Sequence, residues 1–215
     1  MIRRIGWTLV LLLVSGSLGC RANALPVKPS AAWSLTSQDG VSFGSRDLRG
    51  KVALVTFVYT HCATVCPLLS AQMKQLQDEF GREGAFGSRL VFVSVTVDPP
   101  RDTPARLKEY AGQFGVDLSG WTWLTGEPAQ LETLWRSFEV VAYPDLATMD
   151  APLASASHAG HGTSVPANYA VVHTTKTVLL DGAGNLRAEY IGVELPRARV
   201  AQDIRALLAE LDGGH

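Results

Sequence analysis

The stretch KVALVTFVYTHCATVCPLLSAQMKQLQ, residues 51–77, decides the fold. Lys51 to Tyr59 is a near-continuous run of β-branched and aromatic side chains. Such a run, without polar alternation, fits a strand buried on both faces in the middle of a parallel or mixed sheet. From Pro67 onward Leu68, Leu69, Met73, Leu76 and Phe80 recur at helical spacing until Gly81. Pro67 suits the first helical position, where its missing N–H costs nothing. Cys66 then lies near the N-cap and Cys62 in the turn leading in. Unpaired N–H donors and partial positive charge at a helix N-terminus favour the thiolate, the form that attacks disulfides and binds metals.

Alternating elements continue on both sides. Residues 32–36 and 41–43, around Asp39-Gly40, read as a hairpin. LVFVSVTV (90–97) is a second buried strand, and Asp102 or Thr103 caps a helix from Pro104 to about Phe114. WTWLTG (121–126) reads as a short strand and turn, followed by an amphipathic helix from Glu127 to about Phe138. Residues 144–168, rich in small residues and without period, read as a mobile loop. Strand material at 169–172 leads to His173, then 176–181 and 186–191 pair around Ala183-Gly184, and a helix from Pro196 to Leu211 closes the chain. This order predicts an α/β, thioredoxin-like three-layer domain over residues 30–213, with a central mixed sheet and an added N-terminal hairpin. Ligands in open α/β sheets bind beyond the carboxyl ends of the strands, where the two thiols lie.

The chain has 215 residues, 47% hydrophobic and 18% charged, which suits one packed domain with a sizeable core. A formal net charge of -1 argues against a nucleic-acid partner, which needs a basic face. Residues 1–24 differ from the rest: Arg3 and Arg4, an apolar run from Trp7 to Leu18, then small residues, the anatomy of an export signal. Three endings compete: a lipidated Cys20 after a lipobox-like Leu18-Gly19, cleavage after Ala24, or an uncleaved anchor. All place the domain outside the cytoplasm, where a thiol pair is open to oxidation.

Three uses for Cys62 and Cys66 remain open on the residues alone. A passive disulfide closes so short a loop that it constrains the unfolded chain little. A thiol–disulfide oxidoreductase fits the fold and the helix N-terminus, but the three-residue spacing and the lack of a proline just before the strand at 176 oppose it. A metal site fits because two thiolates are soft ligands suited to Cu(I) or zinc, given further ligands from elsewhere. Of the histidines His61, His158, His161, His173 and His215, His173 is the best placed, at the mouth of the last strand pair. His61 reads as tuning the turn, His158 and His161 as part of a solvated loop, and Asp98 as a turn residue at the same edge. Tyr59 and the tryptophans Trp33, Trp121, Trp123 and Trp135 read as packing.

Four motifs then carry a resemblance. FVYTHCATVCP (57–67), TVDPPRDTP (96–104) followed by LKEY, WLTG (123–126) and VHTTKTVLLDGAGNL (172–186) resemble, in order, the landmarks of the Sco/SenC proteins. The resemblance spans residues 33–211. It implies a membrane-tethered, thioredoxin-like copper protein that helps metallate the dinuclear copper centre of cytochrome c oxidase. It implies Cys62, Cys66 and His173 as the copper ligands, for Cu(I) or Cu(II), with Cys62 and Cys66 also a redox-active pair. The implied partners are the copper-bearing subunit of the oxidase and other copper or thiol-redox proteins of the envelope. The implied role is a copper chaperone that delivers copper to that centre or reduces its copper-ligand cysteines, with an extracytoplasmic thiol–disulfide oxidoreductase or a redox or copper sensor without metal delivery as the alternatives. Val172 and Val178 depart from the family's Asp and aromatic residue, and the missing Asp removes a candidate partner for the imidazole.

Overall fold

The computed structural model describes residues 27–148 and 168–213; the leader with Cys20, and His158, His161 and His215, lie outside the described residues. The chain begins with β1 (Lys28–Pro29) and the hairpin β2 (Ser34–Ser37) and β3 (Ser42–Gly44). Then come β4 (Val52–Val58), α1 (Val65–Arg82), β5 (Leu90–Thr96), α2 (Pro104–Gln113), β6 (Trp121–Thr125) and α3 (Pro128–Ser137). After these follow β7 (Ala142–Pro144), a 3-10 turn (Leu146–Thr148), β8 (Val171–His173), β9 (Lys176–Leu180), β10 (Asn185–Ile191) and α4 (Arg197–Gly213).

The main sheet runs β1-β10-β9-β4-β5-β6-β2-β3. β4 is central, parallel to β5 and antiparallel to β9, so the sheet is mixed as the sequence predicts. All seven residues of β4 and of β5 are buried, which requires cover on both faces. Two right-handed crossovers stepping in one direction, β4-α1-β5 and β5-α2-β6, put α1 and α2 on the same face. There Tyr110 of α2 faces Ser70 of α1, and α4 packs beside α1. α3 covers the other face, where Phe138, just past its end, meets Phe57 of β4 with ring centroids 6.0 Å apart. Trp121 and Trp123 are fully buried and stacked at 5.4 Å, the core role expected of them.

Three details differ from the sequence reading. α1 begins at Val65, so Pro67 is the third helical residue and not the first. The change costs nothing, because every N–H of the first helical turn lacks an intrahelical partner. β1 pairs Lys28 with Leu186 and Pro29 with Asn185, an edge too short to leave a sequence pattern. Pro144 is not loop: β7 and β8 form their own two-stranded sheet, pairing Ala142 with His173, Tyr143 with Val172 and Pro144 with Val171. β8 falls on the strand material expected before His173, whereas its three-residue partner β7 shows no period in the sequence.

This small β7–β8 sheet forms a flap off the main sheet. It starts after Glu139, a non-glycine residue at φ +57, and returns to β9 through Thr174 and Thr175. At its root the Thr174 N–H donates to the Val141 carbonyl at 2.9 Å, and the Val141 N–H donates to Thr174 Oγ1 at 3.2 Å.

Candidate metal centre

The thiols occupy the turn between β4 and α1, at the carboxyl end of the central strand. Thr64, the N-cap residue, makes no side-chain capping bond. The Cys62 sulfur takes that place: the Cys66 N–H donates to it at 3.3 Å, and the N–H groups of Thr64 and Val65 also face it. Both cysteines are free thiols, Cys62 half-buried and Cys66 buried. The Cys66 thiol proton points at the Cys62 sulfur and, with the helix N–H groups and against partial burial, brings the Cys62 pKa down to about 5. The same hydrogen bond, burial and the charge on Cys62 push the Cys66 thiol up. At neutral pH the pair therefore holds one proton, on Cys66, and one negative charge, on the more accessible Cys62.

Tyr59 follows the last residue of β4, beside this turn. Its phenol faces the Cys62 sulfur and the Val171 backbone N–H, and burial together with the Cys62 charge pushes its pKa up to about 12. Its ring meets the His173 imidazole edge-on. His173 is half-buried on β8, and its Nδ1–H donates to the Thr174 carbonyl at 3.2 Å. That bond leaves the lone pair on Nε2, the atom free to ligate. Burial lowers the His173 pKa, opposed by the Thr174 carbonyl and the Cys62 charge, so the ring is neutral and competent as a ligand at neutral pH.

Val172 points to the opposite face of β8 from His173: Val171 is buried, Val172 exposed and His173 half-buried. An aspartate at 172 would therefore not reach the imidazole in this arrangement. Thr174 orients the ring through its own carbonyl.

Among the described residues, three potential ligands drawn within 4.8 Å of one another are His61, Asp98 and Asp102, while the two sulfurs and His173 are spread wider. The carboxylates of that gathering are already occupied by protein donors. Asp102 accepts from the Thr60 N–H at 3.2 Å, Thr60 Oγ1 at 2.6 Å and Thr96 Oγ1 at 2.5 Å, stitching the ends of β4 and β5. Burial raises its pKa, against the pull of Thr60 and Thr96. Thr103, not Asp102, caps α2, accepting the Arg106 N–H at 3.3 Å. His61 is exposed, with Nδ1 3.3 Å from Thr60 Oγ1. Asp98 is more than a turn residue: buried, it accepts from Tyr169 and from Arg101 Nε. Arg101 and Tyr169 escape the sequence reading, although Arg101 lies within the TVDPPRDTP motif.

The SCO1/SenC family model matches residues 23–209. An SCO1 protein homolog of Bacillus subtilis is 33% identical over 94 residues, 44% of this chain and 47% of the relative, so the match takes in about half of that protein. A putative copper-binding protein of Stutzerimonas stutzeri is 27% identical over 153 residues, 71% of this chain and 64% of the relative. The crystal structure of a SCO1/SenC family lipoprotein from Bacillus anthracis superposes with a TM-score of 0.67 at 30% identity, covering 84% of this chain and 95% of that one.

Proposed function

We propose, from the premise that the chain belongs to the SCO1/SenC family, that it carries copper as cargo on Cys62, Cys66 and His173 and delivers it toward the dinuclear copper site of cytochrome c oxidase. The observation that carries this reading is the donor set at one sheet edge: an ionised Cys62, its partner Cys66 and a neutral imidazole with Nε2 free. Two thiolates and one imidazole suit Cu(I), and the nitrogen extends the site's tolerance to Cu(II). The Stutzerimonas relative, named as a copper-binding protein, supports the same cargo. Drawing His173 onto the sulfurs falls to its side chain and to β8, which belongs to the flap and not to the main sheet.

Titration of the reduced full chain with copper tests this reading: one ion per chain and a sulfur-to-copper absorption band are expected. His173→Ala should abolish copper transfer and leave thiol–disulfide exchange intact. Survival of both activities rules out delivery.

The low pKa of Cys62 favours a second reading, reduction of the recipient's copper-binding cysteines. The Cys62 thiolate attacks one sulfur of the recipient's disulfide, and the other sulfur leaves as a thiolate. Cys66 then loses its proton and displaces the recipient, closing a Cys62–Cys66 disulfide and returning the recipient as a dithiol. In this reading the pair is the redox-active group and His173 is dispensable.

Among the described residues no helix is long and apolar enough to cross a membrane. We place the domain on the extracytoplasmic side of the cell envelope, tethered through residues 1–24, in keeping with the Bacillus anthracis neighbour, described as a lipoprotein. Mass spectrometry of the native protein tests the tether: diacylglycerol on Cys20, or a terminus after Ala24.

A further inference from the structure

His173 rides on β8, a strand outside the main sheet, so its position depends on what holds that strand down. One restraint is covalent, the short link through Thr174 and Thr175 into β9. The other end of β8 enters through Tyr169, and there the packing is built with charged groups. The Tyr169 hydroxyl donates to Asp98 Oδ1, just beyond β5. Arg101 Nε donates to Asp98 Oδ2 at 2.5 Å, and the same guanidinium covers the Tyr169 ring at 3.5 Å from its centroid. All three groups are buried: the side chains of Arg101 and Asp98 are 8% and 1% exposed, and Tyr169 is 8% exposed. Among the described residues Arg101 Nη2 has no hydrogen-bond partner, a cost a surface pair avoids.

We propose that Tyr169, clasped by Asp98 and Arg101, is a positioning residue that seats β8 so that the His173 imidazole faces the thiol pair. The proposal rests on the copper-carrier reading for its purpose, but the clasp is a property of the metal-free protein. None of the three residues is among the proposed copper ligands. They act by fixing the entry of β8 while Thr174 fixes its exit, so the strand that carries the imidazole is held at both ends. The bond links residues 71 apart, so it ties the flap to the body of the domain and not to its own neighbours. A buried ion pair joined to a tyrosine is costly to assemble and specific in geometry, which suits a register device better than a stability device.

The test has two arms on the purified, reduced full chain. Tyr169→Phe keeps the ring under Arg101 and removes only the bond to Asp98, and Asp98→Asn removes the acceptor's charge. In the metal-free arm, amide exchange across 171–173 and at Ala142 and Tyr143 should quicken about tenfold in both variants, with β4 and β5 unchanged. In the copper arm, Cu(II) affinity should fall about tenfold and the nitrogen hyperfine of the spectrum should weaken, while the sulfur-to-copper band persists. Unchanged exchange overturns the clasp. Faster exchange with native affinity and native nitrogen coupling overturns the positioning role. Unfolding of the whole domain by Tyr169→Phe overturns it too, since Tyr169 would then be a global core residue. Failure of the unmutated chain to bind copper sinks the carrier reading alone, and the exchange arm still decides the clasp.

Discussion

The ring of Tyr59 stands edge-on to the imidazole of His173, with centroids 5.9 Å apart and planes at 87°. Tyr59 belongs to the main-sheet side of the site and His173 to the flap, so this contact spans the gap between them. The phenol reaches past the imidazole toward Cys62.

Replacing Tyr59 with Ala removes a buried ring from between the two halves. Urea denaturation should register a loss of about 3 kcal/mol, within the usual range for a large aromatic truncated in a core. Tyr59→Phe should be nearly neutral for stability and should raise the midpoint at which Cys62 ionises, because a donor facing the thiolate is gone. A thiolate titration with an unmoved midpoint shows that the phenol does not act on the sulfur.

Alkylation should distinguish the two thiols. In the reduced, metal-free chain Cys62 is ionised above about pH 5 and half-exposed, whereas Cys66 is protonated and buried. Mass spectrometry after a brief pulse of iodoacetamide at neutral pH should find the label on Cys62 first. The rate should follow pH with a midpoint near 5. Equal labelling of both sites contradicts the one-proton description.

Stability of the reduced chain should depend on pH in a set direction. The folded pKa of Cys62 is depressed, so its contribution is complete above the ordinary thiol value of 9.0 and is lost as pH falls through about 5. The folded pKa of Cys66 is raised, so its contribution is complete below the ordinary value and is lost as pH rises beyond it. Denaturation midpoints should therefore climb from pH 5 toward 9 and then decline. Cys62→Ser should flatten the climb, and oxidation to the disulfide should remove both limbs.

Asp102→Ala strips the acceptor from the Thr60 N–H and from two threonine hydroxyls at once. Buried donors left unpaired cost about 1–3 kcal/mol each, so chemical denaturation should show a loss of about 3 kcal/mol. The turn bearing Cys62 follows Thr60 directly, so exchange in that turn should quicken as well. A loss of a few tenths of a kcal/mol would falsify the stitching role.

Val172→Asp restores the residue usual in the family at a position that faces away from His173. Copper affinity, measured by competition with a chelator, should change by less than about threefold, as expected of an exposed charge. A tenfold gain means that β8 rotates when copper binds, bringing position 172 to the imidazole.

Much of this was legible in one dimension. The run from Val52 to Val58 announces a strand buried on both faces, and it is the central strand of the sheet. Cys62 and Cys66 fall at the strand-to-helix junction because a buried strand and an amphipathic helix meet there, and each has a strong local signature. The flap had only half of one: β8 shows as strand material before His173, but β7 is three residues long, borders an unpatterned stretch and carries no signature. Nor does any local rule join Tyr169 to Asp98, since the hydrogen bond depends on β5 and the flap being brought together by the whole sheet. Asp102 misled for a different reason. An Asp or a Thr before Pro104 serves equally well as a cap, and only the tertiary neighbour Thr60 decides which is used.

The arrangement of Cys66 donating toward an ionised Cys62 has a consequence for loading. Near neutrality an incoming soft cation expels a single hydrogen ion, because Cys62 has shed its own and burial, by lowering the His173 pKa, leaves that ring uncharged. Retention should slacken by about tenfold per unit of acidification there, and more steeply once Cys62 takes up its own hydrogen ion near pH 5. Acidity thus acts on the proposed site as a graded release, steepening where the second hydrogen ion begins to compete.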